Sequence, residues 1–168
     1  PHESCNLASI NVARMVTIAN GDTVMNWERL DETVDVAVHL LDNVIDMNNY
    51  PIPEIEEMSK KTRRIGLGVM GFADLLVKMH IPYDSDEGLE LGHKIMQFIR
   101  NESDKMSTKL ADERGVFPAF AGSTYDAPNQ PKMRNACRLT VAPTGTISMI
   151  ADCSSGIEPL FAICYHKH

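Results

Sequence analysis

The residues with the clearest chemical potential form a short loop near the carboxyl end of the 168-residue chain. A run with β-branched residues begins at Cys137, and a short apolar helical turn follows the loop. A strand that ends in a Gly/Thr loop at a helix start leaves several backbone N–H groups unpaired. With hydroxyl groups beside them and the helix dipole behind, these N–H groups suit a phosphate. The sequence therefore predicts a site for a phosphorylated small molecule at Pro143, Thr144, Gly145, Thr146 and Ile147.

The cysteines are the second group that could do chemistry. They are scattered, without Cys-x-x-Cys spacing, at Cys5, Cys137, Cys153 and Cys164. A chain of this size in a reducing cytosol is expected to keep such thiols free, and a disulfide scaffold would need more cysteine. From the residues alone, Cys5 is explained equally well as a buried thiol and as a reactive one.

Two further patterns could bind a cofactor or a metal, and each has a simpler explanation. The glycines at 66, 68 and 71 match Gly-x-Gly-x-x-Gly, but no acidic residue after a second strand completes a dinucleotide site. Close packing of a strand or helix end explains these glycines better. A metal site at Cys164, His166 and His168 is disfavoured because that spacing suits no closed site. The sequence predicts no metal site.

Composition and charge restrict the class of protein. With 43% hydrophobic and 23% charged residues, the chain is typical of a soluble globular domain. Its net charge of −7 disfavours general binding of nucleic acids or anionic membranes, since phosphate backbones are held mainly by Lys and Arg. No signal peptide is recognisable, and no apolar run approaches the ~20 residues of a membrane span. The cytoplasm is therefore the expected location.

The elements that must position the loop begin with a strand and a helix. Residues 5–18 are typical of a strand or of an extended approach to one, and Asn-Gly-Asp at 20–22 is typical of a turn. Apolar residues at helical spacing predict a helix over residues 26–48. Pro51 and Pro53 are expected to end that helix and to start a connector.

The second half of the chain continues the alternation of strand and helix. The pattern predicts a glycine-rich strand over residues 65–71, a helix over 72–79, and a long helix to Arg114 that Asp84 and Glu87 cap. A polar loop then leads to a strand, the phosphate loop, a short helix and a last strand. This order indicates a helix-rich α/β fold.

Neither end of the chain has the character of a domain boundary. No Met begins it, and residues 160–168 are typical of a strand that is interrupted. The whole of residues 1–168 is therefore expected to be a partial domain, truncated at both ends.

Three segments in order along the chain carry a resemblance to a known family. They are residues 3–11 (Glu-Ser-Cys-Asn-Leu-Ala-Ser-Ile-Asn), residues 63–76 (beginning Arg-Arg-Ile-Gly-Leu-Gly), and residues 142–148 (Ala-Pro-Thr-Gly-Thr-Ile-Ser) with 156–159 (Gly-Ile-Glu-Pro). Together they resemble the catalytic (large) subunit of ribonucleotide reductase. The amino-acid sequence of the third segment is most similar to that of the class II enzymes, which depend on adenosylcobalamin (vitamin B12).

The resemblance implies a fold, a reaction and partners. The family fold is a ten-stranded α/β barrel made of two half-barrels, of which this chain would supply part of the second half. The family's oxidoreductases reduce ribonucleotides to deoxyribonucleotides by thiyl-radical chemistry, with adenosylcobalamin as cofactor in class II and thioredoxin or a similar reductant as partner. The remaining half of the barrel would be a further partner of these residues.

The resemblance also implies two residue roles. The loop that matches Pro143, Thr144, Gly145, Thr146 and Ile147 holds the substrate phosphates in the family. The cysteine that matches Cys5 belongs to a redox pair that reduces the ribose and becomes a disulfide, and its partner would lie outside this chain. One departure is Asp152, which stands where a small residue such as glycine is expected.

The family's Asn-Pro-Cys-Gly-Glu motif, which carries the radical cysteine, would lie just before residue 1, so the chain alone is expected to be inactive. Two alternatives stay open at this point. One is the large subunit of a class I reductase, which takes its radical from a separate metal-bearing subunit. The other is a non-catalytic nucleotide- or phosphate-binding module.

Overall fold

A computed structural model describes residues 2–162 of the chain. The strands are β1 (Asn6–Asn11), β2 (Val16–Ala19), β3 (Asp22–Met25) and β4 (Ile65–Met70). The helices are α1 (Trp27–Met47), α2 (Pro53–Thr62), α3 (Phe72–Lys78), α4 (Asp86–Arg114) and α5 (Gly145–Ile150), and a 3₁₀ turn (Val12–Arg14) follows β1. The mixture confirms the predicted α/β class.

The central layer is parallel. β1 pairs with β4 in parallel from Asn6 opposite Ile65 to Asn11 opposite Met70. On the other side of β4, a single parallel bridge joins Leu67 to Leu139. Parallel strands place the loops that follow them at one edge, so the predicted phosphate loop follows the third member of this layer at its carboxyl edge.

The sequence predicted a full strand from Cys137, and this was wrong in extent. Ile65 N–H donates to Cys137 O at 3.0 Å and Leu67 N–H donates to Arg138 O at 2.8 Å. Two N–H groups of β4 that lie two residues apart therefore donate to the carbonyl groups of consecutive residues. In a regular parallel ladder they would donate to carbonyl groups that are also two residues apart. The extra residue interrupts the pairing as a bulge does, and only the bridge at Leu139 remains.

The core lies on one face of this layer. Every residue of β4 is buried, and α1 and α4 cover the face that presents Ile65 and Leu67. The apolar residues of α1 that pack there recur at helical spacing, as the sequence predicted: Leu30, Val34, Val38, Leu41 and Ile45. The opposite face carries Leu7, which is 59% exposed.

The structure confirms most of the other predicted elements. The 20–22 turn joins β2 to β3 as an antiparallel hairpin, with positive φ at Asn20 and Gly21, as a two-residue hairpin turn requires. α1 and α3 occupy the predicted ranges within two residues. No helix within residues 2–162 is long and apolar enough to cross a membrane.

Three local predictions were wrong. The strand predicted over residues 5–18 is interrupted after Asn11, whose side chain accepts from Ala13 N–H and begins the 3₁₀ turn, and β2 starts only at Val16. Pro53 does not start a connector but the helix α2, because proline suits the first helical position, where its missing N–H has no partner. The cap of α4 is Ser85, whose hydroxyl accepts from Gly88 N–H at 3.1 Å, and not Asp84. The last predicted strand lies mainly on residues 163–168, outside the described residues.

Candidate functional site

The predicted phosphate loop is the start of helix α5. Thr144 precedes the helix in the left-handed region, with φ of 55°, and its buried hydroxyl accepts from Gly156 N–H at 2.7 Å. No side chain caps the helix. The first N–H groups of a helix have no partner within it, so those of Gly145, Thr146 and Ile147 are available, and all three residues are exposed.

The segment after α5 fastens this loop to the rest of the fold. Ser148 and Ser155 hydroxyls are 2.9 Å apart, and Ser154 O accepts from Gly71 N–H at 2.8 Å. The Asp74 carboxylate of α3 accepts from Ser154 N–H. The loop is therefore tied to the carboxyl end of β4 through a chain of hydrogen bonds.

A cavity of about 610 Å³ lies beside the loop. Its lining includes the start of α5 and three carboxylates, which are Asp74, Asp152 and Glu158. Asp152 has φ of 52°, a conformation that favours glycine and that aspartate tolerates better than most residues. A glycine, the small residue that the resemblance implies there, would adopt this backbone angle without strain. Asp152 is exposed, so solvent reduces its repulsion of an anion.

Gly68 lets the chain that leads to the loop cross close to β4. A Cβ atom at residue 68 would lie 2.6 Å from the backbone oxygen of Thr140, which is closer than non-bonded atoms approach. The backbone of Thr140 cannot rotate away as a side chain could. The glycine is thus required for a close approach of two backbones, as the sequence indicated for this glycine-rich stretch.

Gly68→Ala is therefore expected to lower the free energy of unfolding by about 1–3 kcal/mol, the usual cost of overpacking. The shifted Thr140 backbone would also displace the loop. Urea unfolding of the purified protein measures the effect. Gly92→Ala is the matched control, because its Cβ would meet only the Phe72 ring, at 3.2 Å. Equal losses in the two variants would contradict the role assigned to Gly68.

Cys5 lies at the amino end of the same layer. Its residue is exposed, and its thiol donates weakly to Asn6 O at 3.6 Å. A Cβ atom at Gly66 would lie 3.3 Å from Cys5 Sγ and 3.0 Å from Thr140 Cγ2. The Cys5 thiol and the Thr140 side chain, which belongs to the segment that leads to the loop, therefore both lie close to the Cβ position of Gly66. Partial burial raises the pKa of the Cys5 thiol, Cys137 adds to the rise, and Arg64 opposes it.

Cys137 is close to Cys5 but is not placed to form a disulfide with it. β4 separates the two segments, since β1 pairs with one side of β4 and Leu139 bridges to the other. Backbones two strands apart are separated by about 10 Å, whereas Cα atoms of a disulfide lie about 4.4–6.8 Å apart. Cys5, Cys137 and Cys153 are free, and Cys164 lies outside the described residues.

The sequence did not reveal a buried ion network behind this layer. Asp42 is fully buried, and its carboxylate accepts from Arg63 Nε at 3.0 Å and from Asn135 Nδ2 at 2.9 Å. Arg134 Nε adds a contact of 3.3 Å. Arg63 is the left-handed C-cap of α2, with φ of 49°. The only sequence signal was the basic run at 60–64, which does not show that one arginine turns inward.

No group of three His, Cys, Asp or Glu side chains within residues 2–162 is arranged to hold a metal ion. The disfavoured metal hypothesis concerned Cys164, His166 and His168, which lie outside the described part of the chain.

Comparison with known proteins adds an independent finding. The chain matches the ribonucleotide reductase barrel domain over residues 1–132 and 129–168. It is 53% identical, over 168 residues, to the vitamin B12-dependent ribonucleoside-diphosphate reductase of Thermoplasma acidophilum, covering all of this chain and 21% of that protein. It is 51% identical over 167 residues to the Mycobacterium tuberculosis H37Rv protein of the same name, covering 99% of this chain and 23% of that protein.

A more distant similarity exists to the ribonucleoside-diphosphate reductase subunit alpha of Chlamydia pneumoniae, at 32% identity over 199 residues, covering 97% of this chain and 19% of that protein. The chain thus spans about a fifth of the length of these relatives. The matches cover the three segments that suggested the resemblance, and they confirm it. The chain belongs to the ribonucleotide reductase barrel-domain family.

Proposed function

We propose that the chain is part of a vitamin B12-dependent ribonucleoside-diphosphate reductase and carries two pieces of its active site. The observation that supports this most directly is the convergence above Gly66. There the Cys5 thiol and the strand segment that leads to the loop approach the same point, within 3.3 Å and 3.0 Å of the glycine's Cβ position. Thr140 lies three residues before Pro143 in the chain, so one short segment connects the neighbourhood of the thiol to the phosphate loop.

The loop binds the substrate phosphates in this proposal. The N–H groups of Gly145, Thr146 and Ile147 donate to phosphate oxygens, and the Thr146 hydroxyl adds one donor. Thr144 keeps the loop in shape, because its hydroxyl already accepts from Gly156 N–H. Pro143 lacks an N–H and contributes a fixed backbone angle.

Cys5 supplies reducing equivalents to the ribose. Its thiol and that of a partner cysteine elsewhere in the protein together give two electrons and two protons. The 2′-hydroxyl leaves as water, the carbon gains hydrogen, and the two sulfurs form a disulfide. A dithiol such as thioredoxin then reduces that disulfide by exchange. The raised pKa of Cys5 keeps it as the neutral thiol near neutral pH, the form that carries the proton.

Adenosylcobalamin would supply the radical that starts the reaction. Among the cavities of residues 2–162, the apolar one between α3 and α4 is half-open and holds only about 260 Å³, and the larger one beside the loop is lined by three carboxylates and receives the phosphates in this proposal. The proposal therefore places the cofactor against other parts of the protein and assigns these residues no contact with it. The ten-stranded barrel, to which this layer would contribute β1, β4 and the Leu139 segment, is likewise part of the proposal.

The test of the reaction is an assay of the complete protein with ribonucleoside diphosphates, adenosylcobalamin and a dithiol. Formation of deoxyribonucleotides that depends on the cobalamin supports the proposal. Activity that needs a separate metal-bearing subunit would favour the class I alternative. Binding of nucleotides or phosphate without any reduction would favour the alternative of a non-catalytic binding module.

Thr146→Val tests the loop alone. The substitution removes one hydroxyl at the start of α5 and keeps the shape of the side chain. Nucleotide affinity is expected to weaken by about 1.5–3 kcal/mol, the value of a hydrogen bond to a charged group. Thr17→Val, at an exposed position of β2, is the matched control. Unchanged affinity, measured by calorimetry in the complete protein, would mean that the hydroxyl does not contact phosphate.

A further inference from the structure

Beside Cys5 lies a charged pair that the proposed function does not use. The parallel register places Asn6 opposite Ile65, so Cys5 and Arg64 are the next residues back along the two paired segments. Arg64 Nε lies 2.8 Å from Glu3 Oε1. Glu3 therefore lies on the segment that carries Cys5, and Arg64 lies at the position next to Cys5 on the neighbouring segment.

Helix α2 holds this arrangement in place. Thr62 Oγ1 donates to the same Glu3 oxygen at 2.6 Å, and the hydroxyls of Ser4 and Ser59 are 2.8 Å apart. Both residues that precede Cys5 are thus bonded to the last turn of α2. Arg64 itself follows directly after the C-cap Arg63, whose guanidinium is anchored on Asp42. Glu3 therefore holds the Arg64 guanidinium, whose side chain is 45% exposed, and the anchored Arg63 constrains the Arg64 backbone.

A fixed cation beside a thiol favours its thiolate form. We propose that Arg64, oriented by Glu3, assists thiol–disulfide exchange at Cys5 by stabilising the Cys5 thiolate. This inference rests on the proposed redox role of Cys5 and adds a residue to it. The other ionisable groups that face Cys5 are Glu3 and Cys137, and both disfavour its thiolate.

The step that Arg64 assists is the opening of the disulfide. A thiolate of the reducing dithiol attacks the partner cysteine's sulfur and forms a mixed disulfide with it. The bond to Cys5 Sγ breaks, and Cys5 leaves with the electron pair as a thiolate, which then takes a proton from water. The second thiol of the reductant resolves the mixed disulfide. A cation near Cys5 stabilises the leaving group, and a leaving thiol of lower pKa leaves faster.

The chain offers a matched second thiol for the test. Burial raises the pKa of both thiols overall, and Arg14 opposes the rise at Cys153 as Arg64 opposes it at Cys5. Each arginine can therefore serve as the control for the other.

The experiment follows alkylation of the reduced, complete protein by iodoacetamide from pH 6 to 11, with each cysteine quantified by mass spectrometry. Arg64→Gln is expected to move the Cys5 midpoint up by about half to one pH unit and to leave Cys153 unchanged. Arg14→Gln should move the Cys153 midpoint up and leave the Cys5 midpoint unchanged. Glu3→Gln should move the Cys5 midpoint to lower pH. Arg64→Lys, which keeps the charge that Arg64→Gln removes, should leave the Cys5 midpoint as in the unsubstituted protein. An unchanged Cys5 midpoint in Arg64→Gln, or equal shifts at both cysteines, would overturn the inference.

Turnover separates this inference from the proposed function. With limiting dithiol, Arg64→Gln should lower the rate several-fold without changing nucleotide affinity. If Cys5→Ser abolishes reduction while Arg64→Gln leaves the Cys5 midpoint unchanged, the inference fails and the proposed function stands. If Cys5→Ser leaves reduction intact, the redox role of Cys5 fails whatever Arg64 does.

Discussion

Cys5→Ser in the complete protein is expected to abolish the formation of deoxyribonucleotides while leaving nucleotide affinity unchanged. A serine hydroxyl cannot form the disulfide that stores the two oxidising equivalents, so the ribose receives no electrons from this position. The substitution is nearly isosteric, and Cys5 is exposed with one weak hydrogen bond. Stability is therefore expected to change little. The measurements are product formation by chromatography and nucleotide binding by calorimetry.

Cys153→Ser is the matched control, because Cys153 is also a free thiol of this chain but lies in the segment that supports the loop. It should retain activity with dithiol reductants. Cys137→Ser should behave in the same way, since the separation across β4 prevents Cys137 from replacing the partner of Cys5. Undiminished turnover of Cys5→Ser would remove the redox role.

Asp42→Ala is expected to lower the free energy of unfolding by about 3–5 kcal/mol, the usual cost of removing one partner from a buried ion pair. Asp42 is fully buried and accepts from Arg63, Asn135 and Arg134. Without its carboxylate, the Arg63 guanidinium, whose side chain is only 5% exposed, loses a buried counter-ion. Urea unfolding followed by circular dichroism measures the loss.

Asp46→Ala is the control for that prediction. Asp46 lies one turn further along α1 and binds the same guanidinium at 2.8 Å, but its side chain is 48% exposed. Water can replace it, so the expected loss is less than half that of Asp42→Ala. Equal losses would show that burial of Asp42 is not what makes the network stabilising. Asp42→Ala is also expected to change the surroundings of Cys5, because Asp42 anchors Arg63, the residue before Arg64.

Most of the helices and the turn at 20–22 could be predicted because their signals are local, whereas β3, which completes the hairpin, was not predicted. The apolar residues at helical spacing in α1 and the Asn20-Gly21 turn each act through neighbouring residues. Helix α2 was missed because Pro53 both breaks a helix and begins one, and only its position decides which.

The sequence by itself determined the family and the α/β class, and it supplied the predictions of a phosphate loop at residues 143–147 and of a redox thiol at Cys5, because short segments with fixed spacing carry these features. Only the tertiary structure decided what surrounds them. The convergence of Cys5 and Thr140 above Gly66, the Glu3–Arg64 pair and the inward turn of Arg63 all join residues far apart in the chain. Local pattern holds no information on such contacts, because they depend on strand register and on which charges the core encloses.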